Sequence, residues 1–162
     1  MIKKYYSSEN YSVANTIVVN GLKELIFLLL FAFEGTTYLV RPSWVSYEEQ
    51  LKILNKPYKS IITKMENNFK LTPELLELNL GNEKNKLLIL NNPTNPTGAV
   101  YSKEELKKIA EICKKNNIIV FADEIYLDLT FERDYTESFS KYYQKHFAVV
   151  DIELDGLLLL QN

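Results

Sequence analysis

Short, uninterrupted apolar runs alternate with helical patterns along this 162-residue chain, and this alternation constrains the fold more than any other feature. A strand that is apolar at every residue is buried on both faces, as in a parallel sheet covered by helices. Six largely apolar runs indicate short buried strands of this kind: Thr16–Val19, Thr37–Val40, Ser60–Thr63, Leu87–Leu90, Ile118–Ala122 and Phe147–Ile152. The sequence therefore predicts an α/β fold, with a mostly parallel sheet between two layers of helices.

Helical patterns fill most of the gaps between these runs. Gly21–Phe33, with Gly35 as its C-terminal stop, and Val45–Leu54 are two predicted helices. Thr72-Pro73-Glu74 has the N-cap residue, proline and acid that are typical of a helix start. The clearest helix is Ser102–Lys115, which opens with an S-x-x-E capping box and repeats apolar residues at i, i+3, i+4 and i+7.

Composition argues against several classes of function. A net charge of −2 with interleaved lysine and glutamate gives no indication of binding to nucleic acid or to an anionic membrane. Cys113 is the only cysteine, which excludes an intrachain disulfide, and it lies on the apolar face of the last predicted helix. His146 is the only histidine, which argues against a metal enzyme. A cytoplasmic location is expected.

The longest apolar run, Leu25–Phe33, does not have the length of a membrane span. It contains nine residues and has Glu24 and Glu34 at its ends. A membrane helix needs about 20 apolar residues. We interpret the run as a buried helix.

Ligands of parallel sheets bind just beyond the carboxyl ends of the strands, so the residues at those ends are the candidate site. Gly21, Leu22 and Lys23 follow the first run, where a helix N-terminus offers free N–H groups to a phosphate. An ordinary tight turn is the alternative. Trp44, the only tryptophan, follows the second run, where a planar ligand could stack on it. A buried core tryptophan is the alternative there.

The fourth and fifth runs are followed by further polar residues. Asn91–Gly98 is a proline-rich turn, and Asp123 closes an apolar strand, with Tyr126 three residues later. A carboxylate at that position is partly desolvated and needs a cationic partner, unless it caps a following helix. Together these strand ends suit a planar cofactor that has a phosphate tail and a ring nitrogen.

Four motifs, which occur in the order and at the spacing of the family, resemble the class I and II aminotransferases. These are the fold-type I pyridoxal-phosphate enzymes related to aspartate aminotransferase. Residues 91–126, NNPTNPTGAVYSKEELKKIAEICKKNNIIVFADEIY, are similar to the family's Asn-Pro-x-Asn-Pro-Thr-Gly stretch, the following helix and the Asp-x-x-Tyr motif. IVVNGLKELIFLLLFAF resembles the segment that begins with the phosphate-binding turn, and RPSWVSYEE the segment with the ring-stacking aromatic residue. The resemblance implies a large cofactor domain that acts on an amino acid and a 2-oxo acid, as a homodimer.

The resemblance also implies a role for each residue toward the ring of pyridoxal 5'-phosphate. Asp123 would pair with the ring nitrogen, because a nearby carboxylate raises the pKa of that nitrogen and keeps it protonated. Asn95 and Tyr126 would donate hydrogen bonds to the phenolic oxygen of the ring. Trp44 would stack on the ring face.

The phosphate would be met by Gly21, Leu22 and Lys23, chiefly through backbone N–H groups. The family often has a small residue where this chain has Leu22, so no side-chain contact is expected there. The bond between Asn95 and Pro96 corresponds to one that is often cis in the family, which would fix the turn that presents the amide.

An aminotransferase also needs a lysine that forms a Schiff base with the cofactor and moves a proton. SFSK, residues 138–141, resembles the family's lysine motif and makes Lys141 the candidate. However, the family places one more strand before that lysine, whereas the matching run here, Phe147–Ile152, comes after Lys141. A solvated lysine is the interpretation we favour.

The chain is expected to be a truncated form, a single partial large domain over residues 1–162. Residues 153–162 depart from the family pattern, the small domain is absent, and four leucines would stand at an uncovered end, where they would favour association. Two alternatives stay open. One is a catalytically inactive remnant that acts only by binding or self-association, and the other is a different reaction on the same scaffold, such as β-elimination or decarboxylation.

Overall fold

The computed structural model describes residues 16–129, 137–143, 146–152 and 155–160. Its strands are β1 Thr16–Val19, β2 Thr36–Arg41, β3 Tyr58–Ile62, β4 Lys86–Asn91, β5 Ile119–Asp123, β6 His146–Ile152 and β7 Asp155–Leu160. They form one sheet in the order β1-β7-β6-β5-β4-β2-β3. The pairs from β3 to β6 are parallel, whereas β7 runs antiparallel to both of its neighbours. The predicted α/β fold with a mostly parallel sheet is confirmed.

In these ranges, four α-helices cover the sheet on both faces: α1 Leu22–Ala32, α2 Val45–Ile53, α3 Pro73–Asn79 and α4 Lys103–Lys115. Helices α1 and α2 pack on one face and α3 and α4 on the other, each pair with its own buried cluster. Over the ranges given above, no helix combines the length and the apolar character that a bilayer span requires.

Strand β4 shows why a continuous apolar run suits this architecture. Leu87 and Ile89 belong to the cluster beneath α1 and α2, whereas Leu88 and Leu90 belong to the cluster beneath α3 and α4. Successive side chains of a strand point to opposite faces, so both faces of β4 must be apolar. This strand therefore links the two halves of the core.

Helix α4 begins with the capping box that its sequence predicts. The Glu105 N–H donates to the Ser102 hydroxyl at 3.2 Å, and the Ser102 N–H donates to the Glu105 carboxylate at 2.7 Å. Lys70 adds an ion pair with Glu105 at 2.6 Å. One carboxylate thus satisfies the helix start and connects it to the preceding loop.

The end of α1 differs from its predicted position. The helix ends at Ala32, and Phe33 is already extended, so Gly35 is not the C-terminal stop. Gly35 meets a different requirement, because a Cβ atom there would lie 2.5 Å from the carbonyl oxygen of Asn85. The glycine permits a close approach between two backbone segments.

The seventh strand is the main departure from the prediction. Leu158, in the middle of the four leucines, pairs with Ile17 of β1 on one side and with Val149 of β6 on the other. Residues 155–160 therefore form an inner strand of the described sheet, with their backbone paired on both edges. A run of identical apolar residues has no periodicity that separates strand from helix, so this strand could not be predicted from the pattern.

We expect Ser102→Ala to lower the free energy of unfolding by about 1 kcal/mol, since it removes the hydroxyl that accepts the Glu105 N–H. Urea denaturation measures this change. Lys107→Ala, at an exposed position of the same helix, is the control and should change the free energy of unfolding by less than about 0.5 kcal/mol. An equal effect of the two substitutions would contradict the capping role.

Candidate functional site

The ends of β4 and β5 lie side by side and bring two polar residues together. Asn91 and Asp123 are paired in register at the carboxyl edge of the sheet. The Asn91 side-chain amide donates to the backbone carbonyl of Asp123 at 2.9 Å, and the Asn92 N–H donates to the same oxygen at 2.9 Å. The parallel register and these two hydrogen bonds therefore fix the position of the Asp123 backbone, from which its side chain extends.

The carboxylate of Asp123 is buried and has no cation beside it within the described part of the chain. The residue is 2% exposed. The Tyr47 hydroxyl donates a hydrogen bond to Oδ2, and the Ile125 N–H lies 3.4 Å from Oδ1. Burial raises the pKa of the carboxyl to about 6, although both hydrogen bonds favour the charged form. Such a group has a strong electrostatic preference for a cationic partner.

Tyr47 remains a hydrogen-bond donor at any ordinary pH. It is 1% exposed, and its pKa is raised well above the usual value by burial and then by the negative charge of Asp123. Its ring packs edge-on against Trp44, with centroids 5.5 Å apart. Trp44 is the residue that immediately precedes α2, so the start of this helix presents both aromatic rings to the strand ends.

The Asn-Pro turn holds a third side chain near the carboxylate. The Asn91 side-chain oxygen accepts the Asn95 N–H at 2.6 Å, and Gly98, with a φ of 70°, closes the turn through its N–H to the Thr94 carbonyl at 2.7 Å. The Asn95 amide lies 3.4 Å from the Tyr126 hydroxyl. An amide and a phenol are therefore directed to the same point.

Four of the predicted residues meet in one cavity of about 120 Å³: Trp44, Asn95, Asp123 and Tyr126. Tyr47, Asn91 and Ile125 complete its lining. The sequence reasoning did not select these three residues. Tyr47 could have been predicted from the sequence, because it lies three residues after Trp44 at a helix start and shares one helix face with it.

The predicted phosphate turn lies beside this cavity rather than in it. Gly21 has a φ of 118°, and no side chain caps the first turn of α1, whose N–H groups have no partner within the helix. Gly21 and Lys23 line an open groove of about 630 Å³ between α1 and α2. The Lys23 ammonium lies 5.5 Å from the centre of the Trp44 ring, so this tryptophan contacts both regions. Leu22 packs against the core, partly buried.

Lys141 lies elsewhere. It belongs to the short 3-10 turn Phe139–Lys141, its side chain is 44% exposed, and its ammonium pairs with Glu137 at 3.2 Å. The same carboxylate pairs with Lys103 of α4 at 3.2 Å. In the part of the chain that the structure describes, no lysine lines the 120 Å³ cavity.

The expectation that Asp123 could cap a following helix finds little in the structure. The described element that directly follows β5 is the 3-10 turn Leu127–Leu129 and not an α-helix. The second carboxylate of the strand end, Glu124, is also buried, and it accepts the Phe139 N–H at 2.7 Å. The two adjacent acids thus have different surroundings. Asp123 lines the cavity, whereas Glu124 contacts the turn that contains Lys141.

A parallel sheet with an acid, an amide, a phenol and a stacking aromatic ring at its strand ends defines a cofactor-binding α/β domain. The sequence comparison is specific about which one. Residues 2–154 match the model of the family described as aminotransferase class I and II, and the chain belongs to that family.

Curated relatives agree with this assignment. An aspartate aminotransferase of Bacillus subtilis is 35% identical over 134 residues, which are 80% of this chain and 34% of that protein. An asparagine–oxo-acid transaminase of Streptococcus mutans is 37% identical over 80% of this chain and 33% of its own length. The chain spans about a third of the length of these relatives.

Solved structures share the fold over nearly the whole chain. The aspartate aminotransferase of Thermus thermophilus with maleate superposes with a TM-score of 0.87 at 26% identity, covering 99% of this chain and 45% of that one. A pyridoxal-phosphate-bound C-S lyase of Staphylococcus hominis gives a TM-score of 0.87 at 21% identity, with the same coverage. The second likeness shows the fold alone.

We expect the contribution of Asp123 to the stability of the ligand-free protein to fall as the pH rises from about 4 to about 6. The pKa of Asp123 is raised on folding to about 6 from about 4 in an unfolded chain, so its contribution is complete below about pH 4 and lost as the pH rises through 6. The loss amounts to about 2 to 3 kcal/mol. Chemical denaturation at a series of pH values measures it.

Asp123→Asn is the control for this pH dependence. The amide keeps the size of the side chain and does not titrate, so the difference between wild type and variant isolates the Asp123 term from other carboxyl groups. A pH-independent difference between the two proteins would show that Asp123 is not held in an unfavourable charged state.

Proposed function

We propose that this chain binds pyridoxal 5'-phosphate as the cofactor domain of an aminotransferase, which transfers an amino group between an amino acid and a 2-oxo acid. The observation that supports it most is the buried Asp123 carboxylate without a cation, in a cavity lined by Trp44, Asn95 and Tyr126. A protonated pyridine ring is a planar cation that suits this carboxylate. Family membership supports the same conclusion.

The residues of the cavity fit the ring of the cofactor. Asp123 would hold a proton on the ring nitrogen, and the ion pair would remove the cost of burying the carboxylate alone. Asn95 and Tyr126 would donate hydrogen bonds to the phenolic oxygen. Trp44 would stack on the ring, and the free N–H groups at the start of α1 would bind the phosphate. When bound, pyridoxal 5'-phosphate supplies an electron sink for chemistry at the α-carbon of an amino acid.

Binding is testable with the single tryptophan of the chain. We expect pyridoxal 5'-phosphate to quench the fluorescence of Trp44, because the cofactor would lie on its ring. Asp123→Asn should weaken the binding at least tenfold, since an amide cannot pair with a charged ring. Absence of quenching in the wild-type protein would contradict the proposed site.

Lys141 is proposed not to be the lysine that attaches to the cofactor. Its exposed ammonium is paired with Glu137 beside α4, and it does not line the cavity. We expect borohydride reduction in the presence of pyridoxal 5'-phosphate, followed by peptide mapping, to find no modification at Lys141 above that of other exposed lysines such as Lys52. Selective labelling of Lys141 would reverse this assignment.

The same observation favours a second function, a domain that binds the cofactor without covalent attachment and without catalysis. Among the described residues, the cavity offers an acid, amides and phenols but no amine. The two functions separate in one experiment. Quenching of Trp44 without any borohydride-stable adduct supports the binding domain, whereas a stable adduct together with amino transfer to a 2-oxo acid supports the enzyme.

A further inference from the structure

Gln50 connects the two helices that carry the proposed cofactor contacts. It lies in α2, one turn after Tyr47, and is 7% exposed. Its side-chain amide donates to the backbone carbonyl of Lys23, in the first turn of α1, at 2.8 Å. Trp44 and Tyr47 belong to the ring end of the site, and Lys23 to the phosphate end. One partly buried hydrogen bond therefore joins the two ends.

Core packing of Leu25 and the contact between Lys23 and Trp44 hold the start of α1, but no side chain caps its first turn. Gly21 provides no capping side chain, and the Leu25 N–H is 3.5 Å from the Gly21 carbonyl, a long hydrogen bond. Helix ends without caps fray, and their N–H groups then lose a common orientation. A phosphate bound by backbone N–H groups depends on that orientation.

Gln50 is also not optimised for stability. Its side-chain oxygen is buried and has no hydrogen-bond partner in the described part of the molecule. An unpaired buried acceptor costs free energy, and an apolar side chain of the same length would avoid that cost. A glutamine at this position is therefore better explained by its contact with α1 than by its contribution to stability.

We propose that Gln50 is a positioning residue that sets the first turn of α1 for the phosphate group of the ligand. The proposal rests on the proposed function and makes it more specific, because Gln50 acts on the phosphate end of the site and not on the ring end. Its loss should weaken ligands that carry a phosphate and spare those that do not.

The other end of α1 offers a matched control. Lys56, which follows α2, donates to the carbonyl of Phe33 at 3.0 Å, just past the end of α1, and pairs with Glu34 at 2.8 Å. Lys56→Met thus removes a side-chain contact to a backbone carbonyl of the same helix region. It lies at the end of α1 that is away from the phosphate turn.

The test uses pyridoxamine 5'-phosphate and pyridoxamine, which differ only in the phosphate and need no lysine because neither has an aldehyde. Binding is followed by Trp44 fluorescence. We expect Gln50→Leu to weaken pyridoxamine 5'-phosphate about fivefold, the usual size of one lost hydrogen bond, and to leave pyridoxamine unchanged. Lys56→Met should change neither affinity.

The other outcomes overturn either the role of Gln50 or the proposed function. Equal weakening of both ligands by Gln50→Leu, or no weakening, overturns the role of Gln50 alone. A wild-type protein that binds neither ligand overturns the proposed function, and the role of Gln50 with it. Circular dichroism checks folding, and Gln50→Met, which keeps an unbranched side chain of similar length, decides the question if the leucine variant does not fold.

Discussion

A carboxylate buried without a cation is the constraint around which this edge of the sheet is arranged. Asp123 is the last residue of β5, an inner strand, and the register of β5 against β4 places it beside Asn91. Water cannot stabilise its charge there, and Tyr47 and Ile125 provide only hydrogen bonds. Aromatic and amide groups surround the carboxylate and line a cavity of about 120 Å³, and a flat cation of the proposed kind would balance its charge.

The architecture divides the work between two helices on the same face of the sheet. Helix α2 begins with the aromatic residues that face the carboxylate, whereas α1 begins with a glycine and free N–H groups. Neither helix provides both the proposed ring contacts and the proposed phosphate contacts. The distance between these two sets of contacts therefore depends on how α1 and α2 pack against each other. The Gln50 side chain connects α2 to the first turn of α1 through a hydrogen bond of 2.8 Å to the Lys23 carbonyl.

Much of this could be predicted from the sequence, because the signals were local. Apolar runs identified strands β1 to β6, and the strand-end rule selected Trp44, Asn95, Asp123 and Tyr126, which share one cavity. Tyr47 was missed because its role depends on a contact between distant segments, although its spacing from Trp44 was visible. Strand β7 was missed because four identical leucines carry no periodicity, and Gly35 because a close backbone approach leaves no trace in a single sequence.

The position of β7 has a consequence for the order of folding. Strand β1 lies at the edge of the described sheet and pairs with β7, which lies more than 130 residues later in the sequence. During synthesis on the ribosome, β1 emerges before β7 and stays without this neighbour until residues 155–160 have been made. Pairings between sequence-distant segments form slowly, since a long loop must close first. The phosphate turn follows β1 directly, so the first part of the site to be translated is among the last to become fixed.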